Sequence, residues 1–311
     1  MVITVTMNPA IDKTAEVEKL ITGGLNRIKR VEYDAGGKGI NVSKTIGELG
    51  GESIATGFLG GNAGAVIEKV LKERNIQTDF VWVKGETRTN TKVLEENGMV
   101  TEINEPGPVV SEAEMKELLC KLDQYAGEGS LFVLAGSVPS GVEKDIYRRM
   151  IERIHQKKAK VLLDADGELF RQALPAVPDM IKPNRSELEE YAGIDYRAAE
   201  ETLLETARGL LEKGMETVAV SMGKQGAMFL KKDYQVRCPG LKVKAHSTVG
   251  AGDAMVAAMA YAWDAGLDKE ETVRTCMAAS AGAVTTVGTK PPSKELVESL
   301  KPEVVIEVIE K

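Results

Sequence analysis

The chain has 311 residues, with 40 Lys plus Arg against 47 Asp plus Glu, a formal net charge of −7, and 43% hydrophobic and 28% charged residues. These are values of a soluble globular enzyme built as one large or two ordinary domains. The acid excess excludes general nucleic-acid binding, which needs Lys and Arg to neutralise phosphates, but it leaves room for a small anion held by a few placed cations.

Cys120, Cys238 and Cys276 are widely spaced with no C-x-x-C pair, and His155 and His246 are the only histidines. That argues against a disulfide framework and a zinc site, and the nucleophile elbow G-x-S-x-G is absent. No apolar run reaches the roughly 18 residues that span a bilayer. Met1–Asp12 lacks the basic start and long apolar stretch of a signal peptide, so the expected location is the reduced cytoplasm, without membrane attachment.

In chain order, Val2–Met7 reads as a strand and Gly39–Leu49 as a helix, with apolar Ile40, Ile46 and Leu49 and a stop at Gly50-Gly51. Ile54–Phe58 and Phe80–Val83 read as strands around a helix over Ala63–Arg74. Later units repeat the alternation: helix Ser111–Tyr125, strand Leu131–Ala135, helix Val142–His155, strand Lys160–Leu163, short strand Met180–Lys182, helix Tyr196–Lys213 and strand Thr217–Ser221. Alternating β and α with continuous apolar strands predicts an α/β fold with a doubly wound, mostly parallel sheet flanked by helices. Two polar stretches interrupt it. Glu16–Asp34 reads as short strands around Thr22-Gly23-Gly24, and Thr87–Asn104 as a hairpin around Asn97-Gly98. Together they predict a small β-sheet lid that covers a ligand or pairs with another subunit. Gly250–Ala265 and Lys269–Val287 are Ala-rich, as two closely packed helices require.

Five segments carry candidate chemistry. Asp34–Asn41, D-A-G-G-K-G-I-N, runs into a helix. Its glycines let backbone N–H groups approach an anion, the helix start adds a positive dipole end, and Lys38 adds a full charge. Gly39 stands where a Walker A loop needs Ser or Thr, and a plain strand-to-helix turn is the alternative. Ala135–Gly141, A-G-S-V-P-S-G, follows a strand at the end where α/β proteins bind ligands, so Ser137 either donates to a sugar or phosphate oxygen or sits in a Pro turn. In Lys182–Leu188, K-P-N-R-S-E-L, Asn184 and Glu187 have capping-box spacing and equally suit a hydrated Mg²⁺. Ser221–Ala227, S-M-G-K-Q-G-A, is a turn or a loop against nucleotide phosphates near Lys224. Thr248–Ala254, T-V-G-A-G-D-A, is the most informative. Successive amides at Gly250, Ala251 and Gly252 would open a helix and form a nest for developing negative charge. Asp253 in the first turn either complements the dipole or deprotonates a hydroxyl during phosphoryl transfer.

With T-M-N-P-A-I-D at 6–12, G-G-K-G-I-N-V at 36–42, K-G-E-T-R at 84–88 and G-S-V-P at 136–139, these motifs stand in the order of a known family. The chain resembles the ribokinase-like sugar kinases, and among them the phosphofructokinase B group, over nearly its whole length. The resemblance implies one ribokinase-like kinase domain over 1–311 with lid segments at about 12–33 and 86–106, often joining two subunits as a homodimer. It implies ATP and Mg²⁺. Asp253 is implied as catalytic base, with Gly250, Ala251 and Gly252 as anion hole. Asp12, Gly37, Lys38 and Asn41 are implied on the sugar. Arg27, Arg88 and Ser137 match positions that approach the substrate's existing phosphate or its hydroxyls. Lys182, Ser221, Gly223, Lys224, Gly226 and Gly252 fall on the nucleotide side, and Asn184 and Glu187 on the magnesium waters. Lys38 and Thr87-Arg88 resemble the phosphosugar branch, whose substrates are fructose 1-phosphate, tagatose 6-phosphate and fructose 6-phosphate. S-T-V-G-A-G-D-A-M-V resembles the enzymes of fructose 1-phosphate and fructose 6-phosphate, and the lysine of G-G-K-G with the M-N-P-A-I-D start favours phosphorylation of fructose 1-phosphate at its C6 hydroxyl. Tagatose 6-phosphate is the alternative substrate, and a non-catalytic sugar-phosphate sensor the alternative of another class. Asp166, in L-D-A-D-G, stands where relatives often carry serine. Ser247 and Val249 lie next to where a monovalent ion would bind.

Overall fold

The continuous apolar runs form strands covered on both faces. In the computed structural model, which describes residues 1–246, 248–286 and 288–309, β1 (Val2–Thr6) lies inside the main sheet. The chain continues into β2 (Ala10–Val17), β3 (Arg30–Gly36), α1 (Lys38–Glu48), β4 (Ser53–Leu59), α2 (Gly61–Glu73), β5 (Gln77–Thr78) and β6 (Val81–Trp82). A hairpin of β7 (Arg88–Glu95) and β8 (Val100–Asn104) precedes α3 (Glu112–Tyr125), β9 (Leu131–Ala135), α4 (Ile146–His155), β10 (Lys160–Asp164), α5 (Gly167–Ala173) and β11 (Met180–Ile181). Then come α6 (Arg185–Ala192), α7 (Glu200–Glu212), β12 (Thr217–Ser221), β13 (Ala227–Lys231), β14 (Tyr234–Cys238), α8 (Ala251–Asp264), α9 (Lys269–Ala283), α10 (Lys294–Leu300) and β15 (Glu307–Val308).

The main sheet runs β15-β14-β13-β12-β11-β10-β9-β1-β4-β5, with β6 also beside β4. It is parallel from β12 to β5 and antiparallel through β13, β14 and β15. The period-two geometry of a strand sorts its side chains between two cores. Ile3, Val5, Phe132 and Leu134 pack with Leu118, Tyr147 and Leu203 of the helices on one face. Val2, Leu131 and Val133 pack with Ile46, Val256 and Met277 on the other. Each such fully buried side chain contributes roughly 1.5–3 kcal/mol. Most of the buried alanines of α8 and α9 belong to this second core, among them Ala254, Ala257, Ala258 and Ala278.

The small sheet runs β3-β2-β7-β8, with β2 antiparallel to β3, parallel to β7, and β7 antiparallel to β8. It seats Ile11 and Ala35 against Ile40, Leu59 and Ile67, while Val31, Tyr33, Val100 and Ile103 are exposed. The hairpin turns at Asn97-Gly98 as expected, with Gly98 at φ 85°.

Several boundaries differ from expectation. β2 begins at Ala10, not Glu16, because the chain leaving β1 at once pairs with both Gly36 and Arg88. The helix expected from Val142 starts at Ile146, after Pro139 and a left-handed Gly141. The helix expected from Tyr196 starts at Glu200, since Arg197 has φ 63°, outside the helical region. α9 ends at Ala283, and Val287, together with Ser247, lies outside the described residues. Among the described residues no helix is long and apolar enough to cross a membrane.

Candidate active site

β1 is the point where chain order reverses: β4 lies on one side of it and β9 on the other. Ligand crevices form at the carboxyl ends of parallel strands at such a point. Here that end holds a cavity of about 290 Å³. Its roof is the small sheet, through Asp12, Arg88, Asn90 and Lys92, and its floor is the main domain, through Lys38, Asn41, Asp253 and Thr289.

The start of α1 is shaped by Gly37, at φ 114°. A Cβ there would lie 2.8 Å from Thr6 Cγ2 and 3.1 Å from Pro9 Cα, so only glycine lets the chain fold back over the end of β1. Lys38 thereby reaches the cavity, and one turn later Asn41 Nδ2 donates to Asp253 Oδ2 at 2.8 Å.

Asp253 lies in the first turn of α8, behind Gly250 in the left-handed region at φ 86°. The amides that open a helix have no intrahelical acceptor and face outward as donors. Lys182 Nζ lies 3.4 Å from the point a side chain on Gly252 would occupy, so an ammonium group accompanies those amides. Between the two halves of the site, Asp164 is 2% exposed and pairs with Lys38 at 3.4 Å and Lys182 at 3.3 Å. Burial alone would raise the Asp164 carboxyl, but Lys182 and Lys38 hold it below its ordinary range. Lys38 is held above its ordinary value, because Asp164 and Asp253 outweigh burial. Asp253 is pushed up to about 6, first by burial and then by the charge of Asp164, against the Asn41 hydrogen bond and the two lysines. A carboxylate tuned in this way is ionised at neutral pH and basic enough to accept a hydroxyl proton.

Across the crevice, Asn184 caps α6. Its Oδ1 accepts from Glu187 N at 2.9 Å, and Glu187 Oε2 accepts from Asn184 N at 2.8 Å. The capping box therefore uses one carboxylate oxygen of Glu187 and leaves the other. Burial lifts the Glu187 carboxyl above its ordinary range, a cost that a nearby cation offsets. Among the described residues no group of three or more His, Cys, Asp or Glu is placed to hold a metal ion directly. The donor set fits a hydrated Mg²⁺ carried on phosphates, with Glu187 accepting from its waters, and does not fit an ion caged by protein. Ser221 N donates to Pro183 O at 3.0 Å, which fixes the Gly223–Gly226 turn beside Asn184.

Eight buried side-chain oxygens among the described residues find no hydrogen-bond partner in the protein. Five of them, on Thr6, Asn8, Asn41, Asn90 and Thr289, belong to residues lining this cavity. The amide nitrogens of the three asparagines are committed, to Pro106 O, Asp253 and Asp12 respectively. Their oxygens are left as acceptors within the cavity wall.

Comparison with known proteins gives the same answer. The profile of the pfkB family carbohydrate kinases matches residues 1–296. The chain belongs to this family. A 1-phosphofructokinase of Bacillus subtilis is 38% identical over 308 residues, covering 98% of this chain and 99% of the relative. A D-tagatose-1-phosphate kinase of Bacillus licheniformis is 35% identical over 285 residues, 92% of each. Phosphofructokinase-2 from Escherichia coli, in complex with potassium, superposes with a TM-score of 0.91 at 28% identity, covering 97% of this chain and 98% of that one. The fold is ribokinase-like, as the resemblance implied.

Within this pfkB-family chain, the cavity gathers Asp12, Gly37, Lys38, Asn41, Arg88, Ser137 and Asp253. Arg27 is exposed in the β2–β3 loop and is not among the residues that line the cavity within this chain, because that loop extends beyond the paired part of the lid. Lys224 is exposed as well. Sequence reasoning missed Asn90, Lys92, Asn104, Asp164 and Thr289. The alternation of Arg88, Asn90 and Lys92 along one strand was a usable signal for two of them. Asp166 is exposed at the N-terminus of α5, makes no capping bond, and adds to the field on Lys38.

Proposed function

We propose that this kinase transfers the γ-phosphoryl group of ATP to the C6 hydroxyl of fructose 1-phosphate, giving fructose 1,6-bisphosphate. The observation that carries the reading is the placing of a tuned carboxylate, Asp253, in one cavity with Asp12, Lys38, Asn41 and Asn90. Asp12, Asn41 and Asn90 orient the sugar, Asp253 takes the hydroxyl proton, and the Gly250–Gly252 amides with Lys182 stabilise charge on the transferring group. Ser221, Gly223, Lys224, Gly226 and Asn184 border the nucleotide. Mg²⁺, when bound, would neutralise phosphate charge, its waters held by Glu187 and Asn184. Closure of the small sheet excludes water and so suppresses ATP hydrolysis.

D-tagatose 1-phosphate is the second reading, supported by the relative of that name. We place the enzyme in the cytoplasm, in keeping with its three free cysteines. It works as one kinase unit and a homodimer joined through the exposed apolar lid face of Val31, Tyr33, Val100 and Ile103. A coupled ADP-release assay over fructose 1-phosphate, tagatose 1-phosphate, tagatose 6-phosphate and fructose 6-phosphate ranks the substrates by kcat/KM. Turnover with none of them would favour a sensor. Asp253→Asn should retain sugar-phosphate binding and lose about 10²–10⁴ in kcat, the range for a general base. Near-normal kcat in that variant would overturn the base assignment.

A further inference from the structure

The substrate reading requires a place for the phosphate already on the sugar. Three cations line the cavity: Lys38, Arg88 and Lys92. Arg88 is committed. Its Nε and Nη2 donate to Asn8 O at 3.3 and 3.2 Å, and its Nη1 donates to Glu105 O at 3.1 Å. These bonds brace the start of the lid against the end of β1, and burial weakens the guanidinium's hold on its charge. Lys38 is committed to Asp164 at 3.4 Å. Arg27, exposed on the lid loop, stands outside the cavity.

Lys92 differs from Arg88, Lys38 and Arg27. It shares the inward face of β7 with Arg88 and Asn90, two residues apart in each step. Glu102 lies opposite it on β8, yet no carboxylate approaches its ammonium group within the 4.0 Å of an ion pair among the described residues. A half-buried ammonium facing a cavity without a counterion is a poised anion site. It lies in the roof while Asp253 lies in the floor, so one ligand can place a hydroxyl on the base and a phosphate on the lid.

We infer that Lys92 is the specificity residue that receives the ester phosphate of the sugar, so that the lid closes on phosphorylated ketoses and not on free ones. The inference rests on the carbohydrate-kinase reading above and deepens it. Glu102, exposed beside Lys92 and lining the same cavity, repels the incoming phosphate, which sets the threshold for closure.

The test uses the full-length protein and two readouts. Calorimetric binding of fructose 1-phosphate and of free fructose needs no turnover, so it stands even if the assigned reaction is wrong. That error would show separately, as failure of the unsubstituted enzyme to phosphorylate fructose 1-phosphate. Lys92→Met should weaken fructose 1-phosphate binding tenfold or more, leave free fructose binding as it was, and leave the KM for ATP unchanged. Lys92→Arg should recover most of the loss, and Glu102→Gln should tighten fructose 1-phosphate binding two- to fivefold. Thermal unfolding of each variant checks that the fold is intact. Undiminished fructose 1-phosphate binding by folded Lys92→Met would overturn the inference. So would an equal loss for free fructose, which would make Lys92 a contact of the sugar ring.

Discussion

Asn41 and Asp253, 212 residues apart in the chain, are joined by a single hydrogen bond of 2.8 Å across the mouth of two helices. The bond commits the Asn41 amide nitrogen and one oxygen of Asp253. It leaves the Asn41 carbonyl oxygen unpartnered and the second carboxylate oxygen for the substrate. Helix α1 thus sets the angle of the carboxylate that helix α8 supplies and that we propose as the base.

Removing this bond should change both rate and pH dependence. The proposed base works only when ionised, so kcat/KM should rise with pH through about 6, the value of Asp253, and be full at neutrality. The Asn41 bond favours the ionised form, so Asn41→Ala should move that acid limb to higher pH. The carboxylate would also lose its fixed orientation, at a cost of about tenfold to a hundredfold in kcat. A pH–rate profile of the variant is the check, and an unmoved limb would mean that the contact only fills space.

Asp164 makes the opposite prediction. Its charge raises the proton affinity of Asp253, so Asp164→Asn should move the acid limb to lower pH and leave a weaker base. The same change strips Lys182, which is 4% exposed, of its carboxylate partner. Unpairing a buried charge costs about 3 kcal/mol or more. Melting should therefore fall in the free variant and recover in part with ATP, whose phosphates supply the lost negative charge. A limb that moves upward would show that Asp164 does not act on Asp253 through its charge.

Much of the lining of this candidate site is legible in the sequence, and the reasons differ by residue. Gly37, Lys38 and Asn41 were readable because a strand-to-helix turn over a neighbouring strand tolerates few residue types, and Gly250 to Asp253 for the same reason. The alternation of strands and helices was readable because strands buried on both faces must be apolar throughout. Asp164 was not, because a single acid at the end of K-V-L-L-D acquires meaning only when Lys38 and Lys182, from distant segments, converge on it. The exposed position of Arg27 was not legible either, because a motif position does not reveal whether a loop folds over its own cavity. The lid strand β2 started six residues early because its pairing partners, Gly36 and Arg88, lie far along the chain.

Glu187 allows the structural and the chemical reading of one motif to be separated. Its Oε2 closes the capping box with Asn184, and a glutamine side-chain oxygen can accept the same bond. Glu187→Gln should therefore leave the melting temperature within a few degrees of the parent, a cap contributing about 1 kcal/mol. It removes the negative charge that would hold magnesium waters, so the Mg²⁺ concentration for half-maximal rate should rise about tenfold. The sugar-phosphate KM should stay close to the parent value, because Glu187 does not line the sugar cavity. Titration of Mg²⁺ at saturating ATP, beside a thermal melt, decides the matter. A large fall in melting temperature with an unchanged Mg²⁺ requirement would reduce Glu187 to a helix cap. The expected result, an intact fold that demands more metal, assigns the carboxylate to the chemistry and its backbone contact to the helix.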